Sequence, residues 1–193
     1  MNTWVNKIID FWFEKTPDYK KWFESGKKYD TYIKTHFVEI LKCAEKGALF
    51  HWVYHKKSFI ALVILLDQFS RHIYRGSKNA YKNDKMVMDI IKLGLHIYID
   101  ELNVFEKIFI IVPFQHSLDL RKQYRGIRLL KQLIKNETSP YNQSVLKNIL
   151  YHQRKHCLII ERFGRFPKRN KYFDILSTKE EREYIRKNPK YDY

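Results

Sequence analysis

The stretch SFIALVILLDQFSRHIY, Ser58 to Tyr74, decides the fold class. Its apolar residues Ala61, Leu62, Leu65, Leu66, Phe69 and Ile73 recur at the three- and four-residue spacing of one helix face, while Asp67, Arg71 and Arg75 fall four apart on another. The first face reads as core, and the second presents polar side chains to a cavity. Working outward, Trp4, Ile8, Ile9, Phe11 and Trp12 read as a first helix that ends before a turn at Thr16-Pro17-Asp18. Tyr19 to Lys46 keeps helical spacing through Trp22, Phe23, Tyr29, Ile33, Phe37, Ile40, Leu41 and Ala44, and stops at Gly47, a C-cap candidate.

Downstream, Asn83 to Ile99 and Asn103 to Val112 continue the pattern, and Pro113 is expected to bend or restart the second of these because it lacks the donor and clashes with the preceding turn. Arg121 to Lys135 is a basic amphipathic continuation. Asn136 to Tyr141 is polar and turn-prone, and Ser144 to Glu161 is another long helix. Ser177-Thr178-Lys179-Glu180-Glu181 has the form of a capping box opening a short final helix. No strand-like alternation interrupts this. The expectation is an all-α chain of roughly seven to nine helices, forming one domain over residues 1–193 whose short C-terminal helix follows a basic corner at 162–170. Helix pairs of these lengths can stack as antiparallel hairpins in a tetratricopeptide-like array.

The chain has 193 residues, 45% hydrophobic and 16% aromatic, enough to bury a core. The formal net charge of +16 attracts polyanions, and the excess is greatest between Arg121 and Lys190. Only Cys43 and Cys157 are present, each in an apolar or amphipathic segment, so no disulfide scaffold or zinc-finger spacing is available and both read as reduced core or near-core thiols. The N-terminus lacks the basic and apolar regions of a signal peptide, and the most hydrophobic stretches, Phe59 to Leu66 and Ile108 to Phe114, are too short to cross a bilayer. A soluble protein of the cytoplasm, or of an equivalent reducing compartment, is expected, without membrane insertion.

Chemistry concentrates in two clusters. In Leu66 to Gly76, the guanidinium forks of Arg71 and Arg75 suit a carboxylate or phosphate, unless Asp67 simply satisfies Arg71. In Arg162-Phe163-Gly164-Arg165-Phe166-Pro167-Lys168-Arg169-Asn170, cations alternate with aromatics after an apolar helix end, which reads as an anion site or as a structural corner with its aromatics in the core. His116, with Asp119 and Gln123 at helical spacing, makes a candidate base with an orienting carboxylate, or a buried hydrogen-bonded histidine. Ser117 lacks the glycine frame of a nucleophile elbow. His152 and His156 lie four apart but lack a third ligand and the glutamate of a metalloprotease, so no metal is assigned. The Gly164 region lacks the closing Lys-Ser/Thr of a P-loop, and no cofactor is expected.

Asp10-Phe11-Trp12-Phe13, Leu66 to Gly76, Pro113-Phe114-Gln115-His116-Ser117 and His156 to Asn170 stand in order along nearly the whole chain. Together they resemble the successive motifs of a widespread bacterial family of uncharacterised helical proteins with a tetratricopeptide-like fold. The resemblance implies a curved all-helical domain and brings no established reaction. The chain departs from that pattern where Ser70-Arg71-His72 stands for a usual Pro-Arg-Asn and where Lys168 stands for a usual His.

The expected function is binding of a phosphate- or carboxylate-bearing small molecule in a cationic cleft. Arg71, Arg75, Arg162, Arg165 and Arg169 would supply charge, His116, Gln123 and His156 directional hydrogen bonds, and Phe163 or Phe166 an apolar wall. The alternatives are a metal-independent hydrolase or transferase with His116 as base, a nucleic-acid-binding module, and a protein-interaction module.

Overall fold

The computed structural model describes residues 3–13, 19–23 and 27–189. Among them every regular element is a helix. The α-helices are α1 Thr3–Phe13, α2 Tyr19–Phe23, α3 Asp30–Glu45, α4 Lys56–Val63, α5 Ser70–Ile73, α6 Asp84–Tyr98, α7 Val104–His116, α8 Leu120–Asn136, α9 Pro140–Phe163 and α10 Lys179–Lys187. A π-helical segment, Ile64–Phe69, joins α4 to α5, and 3₁₀ turns occupy Phe50–Tyr54, Lys78–Tyr81 and Pro167–Tyr172. The chain resolves into two compact units, Met1–Pro113 and Phe114–Tyr193.

The N-terminal unit is built around the apolar rod anticipated at Ser58 to Tyr74. Every residue from Phe59 to Ser70 is buried, so the rod is enclosed on all sides rather than on one face. It is not one α-helix, however. The Ser70 hydroxyl donates to the Leu66 carbonyl at 2.6 Å and contacts the Asp67 carbonyl at 3.2 Å, and the helix widens into its π segment one turn ahead of that serine. Aromatic edges close the rod: Phe69 lies 4.7 Å from Phe37 and 5.5 Å from Trp12, and Trp12 lies 5.4 Å from Phe109.

Two boundaries and one burial differ from the sequence reading. Tyr19 to Lys46 is not continuous: a turn closes at Lys27–Asp30 through Asp30 N–H to the Lys27 carbonyl, and α3 starts with an acidic side chain at its positive end. Pro113 does not restart α7, which runs on to His116; burial of the flanking Ile108–Val112 and Phe114 offsets the cost of about 3 kcal/mol that an interior proline imposes. Cys43 is exposed rather than near the core, whereas Cys157 is buried. The turn expected at Thr16-Pro17-Asp18 lies outside the described residues. Gly47 does end α3, with φ of 80° and the paired bonds Gly47 N–H to Ala44 O and Ala48 N–H to Cys43 O of a Schellman motif.

Gly94 in α6 is required by close packing. A Cβ built there would lie 2.6 Å from Cζ and 2.7 Å from Cδ2 of Phe59, a fully buried ring. Gly94→Ala gains about 0.5–1 kcal/mol of helix preference and loses about 1–3 kcal/mol to overpacking. A lower thermal midpoint is therefore expected, recovered in part by adding Phe59→Leu. Equal losses with and without the second change would show that Phe59 is not the obstacle.

In the C-terminal unit, α8 and α9 form an antiparallel hairpin across a three-residue connection. Glu137 accepts from the N–H groups of Thr138 and Ser139, Ser139 caps α9, and Pro140 takes its first turn. Gln123 and Gln153 join the two helices by a buried 2.7 Å bond. Beyond the hairpin, Gly164 adopts φ of 65° to end α9, and the chain turns so that Phe166 packs on Ile159 and Ile160. Thr178 and Glu181 complete the expected capping box at the start of α10.

Candidate anion site

The predicted site residues divide between the two units. In the N-terminal unit, Arg71 fans across several oxygens. Its Nη2 lies 2.8 Å from Asp84 Oδ1 and 3.5 Å from Asp67 Oδ1, and its Nη1 donates to the Ala80 carbonyl at 2.8 Å. Burial pulls the Arg71 pKa down, but the charges of Asp84 and Asp67 outweigh it and leave the pKa above its ordinary value. Gln68 also donates to Asp67, whose side chain is 1% exposed.

Arg75 grips Asp30 with both fork positions, Nε to Oδ2 at 2.6 Å and Nη2 to Oδ1 at 2.9 Å. His72 completes this group. Its Nδ1 lies 2.7 Å from Asp30 Oδ1, and since a carboxylate only accepts, Nδ1 carries the proton. Burial, and then Arg75, push the His72 pKa down against the pull of Asp30. Burial would raise Asp30, but the bonds from Arg75 and His72 hold it below the usual carboxylate value. The sequence around His72 does not reveal this partner, because Asp30 lies forty-two residues upstream on α3.

In the C-terminal unit, α10 supplies carboxylates to the basic tract. Arg162 pairs with Glu180 at 2.7 Å on the surface. Arg165 forks onto Glu181 at 2.7 and 3.0 Å, and Glu181 is 2% exposed. Asp119 caps α8 by accepting from Arg121 N–H and also holds the Arg121 side chain. Gln123 is fully buried and donates to the carbonyls of Gln115 and Ser117, closing the end of α7.

His156 and Arg169 both contact Phe166, and Arg169 also reaches His116. Arg169, buried, stacks its guanidinium 4.2 Å above the Phe166 ring and reaches the His116 carbonyl at 3.5 Å. The His156 ring meets Phe166 edge-on with centroids 5.6 Å apart. Its Nδ1 lies 2.8 Å from the His152 carbonyl, one helical turn back, so Nδ1–H donates and Nε2 is the basic nitrogen. Burial depresses the His156 pKa to about 3, and the nearby His116, Arg169 and His152 act in the same direction, against the bond to the His152 carbonyl. His156 is a neutral imidazole at physiological pH. Phe163, the other aromatic of the tract, packs instead on Tyr184 at 5.2 Å.

Among the described residues no three His, Cys, Asp or Glu side chains group as metal ligands, and no helix is long and apolar enough to cross a membrane. The fold is similar to the solved structure of a protein of unknown function, ATU0120, from Agrobacterium tumefaciens. The TM-score is 0.81 at 30% identity, covering 95% of this chain and 97% of that one. No curated protein matches the chain. The family model described as bacterial protein of unknown function (DUF924) matches residues 8–189, and the chain belongs to that family.

Proposed function

We propose that the C-terminal unit binds a small phosphate- or carboxylate-bearing molecule at the corner formed by His116, His156 and Arg169. The observation that carries this reading is the buried Arg169 guanidinium, 4.2 Å over the Phe166 ring, beside a neutral histidine of fixed tautomer. Burial is the main reason His156 is held neutral, and the neighbouring His116 and Arg169 add to the cost of charging it, a cost that an anion bound among them would reduce. Arg169 would supply the charge, His116 and His156 the directional hydrogen bonds. The surrounding field favours the approach of an anion, since 19 of the 37 Lys and Arg but 8 of the 21 Asp and Glu lie in residues 114–193.

Binding is favoured over catalysis. A histidine whose pKa is near 3 is too weak a base for proton abstraction at neutral pH, and the Asp119 carboxylate is engaged with Arg121 rather than positioned as an orienting partner for His116. Titration calorimetry with inorganic phosphate, pyrophosphate and citrate at moderate salt tests the reading. At least one is expected to bind the wild type saturably, and Arg169→Gln to weaken it at least tenfold, about 1.4 kcal/mol. Absence of saturable binding, or equal affinity in a folded Arg169→Gln variant, would overturn it. So would binding only to mixed-sequence nucleic acid with a steep salt dependence, which is the signature of a charged surface.

A further inference from the structure

A cleft lies wholly within the N-terminal unit, between the end of α3, the 3₁₀ turn at Phe50–Tyr54 and the first turns of α6. Its volume is about 470 Å³, within the range of about 300–1,000 Å³ usual for small-molecule sites. The floor is apolar. Leu62 and Ile90 are buried there, Met86 is half-buried, and Phe50 stands at the rim with half its surface in solvent.

Three charged side chains line the same cleft, and they are not equivalent. Lys82 is neutralised in place by Glu45, at 2.8 Å, a carboxylate that also accepts from Asn83 and Tyr74. The side chains of Lys85 and Asp89 are exposed and make no hydrogen bond or ion pair with any described residue. They stand four apart on α6, the spacing at which opposite charges on a helix usually meet, but with the cation N-terminal, which is the weaker orientation. The cleft wall therefore offers one uncommitted cation and one uncommitted anion a helical turn apart, above an apolar floor.

We propose that this cleft binds a free α-amino acid with an apolar side chain. Its carboxylate would meet Lys85, its ammonium group Asp89, and its side chain the floor of Leu62, Met86 and Ile90. Charge complementarity selects the zwitterion: a simple fatty acid on Lys85 would leave Asp89 without a cation, and a simple amine on Asp89 would leave Lys85 without an anion. This site is separate from the corner at Arg169 and does not depend on it.

The probe is L-leucine, titrated against the full chain by calorimetry or saturation-transfer NMR. It is compared with 4-methylpentanoate, which lacks the amino group, and 3-methylbutylamine, which lacks the carboxylate. Leucine is expected to bind saturably at millimolar concentration or below, and each analogue at least tenfold more weakly. Lys85→Gln and Asp89→Asn, both on the exposed face of α6, are each expected to weaken leucine at least tenfold. Lys85→Gln should not weaken the amine, nor Asp89→Asn the carboxylate analogue. The proposal fails if leucine does not saturate, if either analogue matches it, or if both variants bind it as the wild type does.

Discussion

Arg71→Met is expected to destabilise the N-terminal unit by about 3–5 kcal/mol, the usual cost of stripping the partner from a buried charge. Asp67 is carried on the π segment of the central rod, 1% exposed, and Arg71 bridges it to Asp84. The methionine fills much of the same volume, so the loss reports electrostatics and hydrogen bonding rather than a cavity. Arg71→Lys should recover less than half of it. A single ammonium cannot span Asp67, Asp84 and the Ala80 carbonyl as the guanidinium does. Adding Asp67→Asn to Arg71→Met should restore part of the stability by removing the stranded charge, giving a clear coupling energy in a double-mutant cycle. Urea denaturation followed by circular dichroism at neutral pH measures wild type, Arg71→Met, Arg71→Lys, Asp67→Asn and the double variant. A loss below about 1 kcal/mol for Arg71→Met, the scale of an exposed pair, would show that solvent reaches Asp67 freely.

What the sequence made legible was local. The all-helical class, the stop at Gly47 and the Thr178–Glu181 capping box each depend on residues within one or two turns of each other, and each is present. What it left illegible depends on distance along the chain. Asp30 cannot be seen to belong to His72 and Arg75 until α3 is laid beside the rod, forty-two to forty-five residues away. The tract from Arg162 to Asn170 reads as an anion site or as a structural corner, and its sequence does not show that Arg162 and Arg165 are engaged by Glu180 and Glu181 of α10, eighteen and sixteen residues later. Arg169 remains as the guanidinium that the corner folds inward onto Phe166, and no spacing rule distinguishes it from Arg165. The π segment was hidden for another reason. Its residues have ordinary helical periodicity, and only the Ser70 hydroxyl, bonded back to Leu66, marks where the ladder widens.

Glu181 gives the second large effect and makes it readable against pH. Its carboxylate accepts from both nitrogens of the Arg165 fork, from Thr178 N–H at 2.8 Å and from Asn170 Nδ2 at 3.3 Å, so one buried side chain joins α10 to the 162–170 corner. Glu181→Ala is expected to cost about 2–3 kcal/mol, below the full range for a buried pair because Arg165 keeps about a third of its side chain in solvent. Glu180→Ala is the internal control. Its pair with Arg162 is exposed on both sides, and its loss should fall within the scatter of the measurement. The bond from Arg165, assisted by the Thr178 N–H and opposed by burial, holds the Glu181 carboxyl at about 2, below its ordinary value of 4.5. A depressed folded-state pKa means that the unfolded chain takes up the proton first. The stabilisation is therefore complete above pH 4.5 and is lost as the pH falls from there toward 2. The urea midpoints of wild type and Glu181→Ala should stay a constant distance apart from pH 7 to about 5, then converge on further acidification. A gap that is constant down to the lowest pH at which both chains fold would show that the Arg165–Glu181 contact holds α10 by shape rather than by charge.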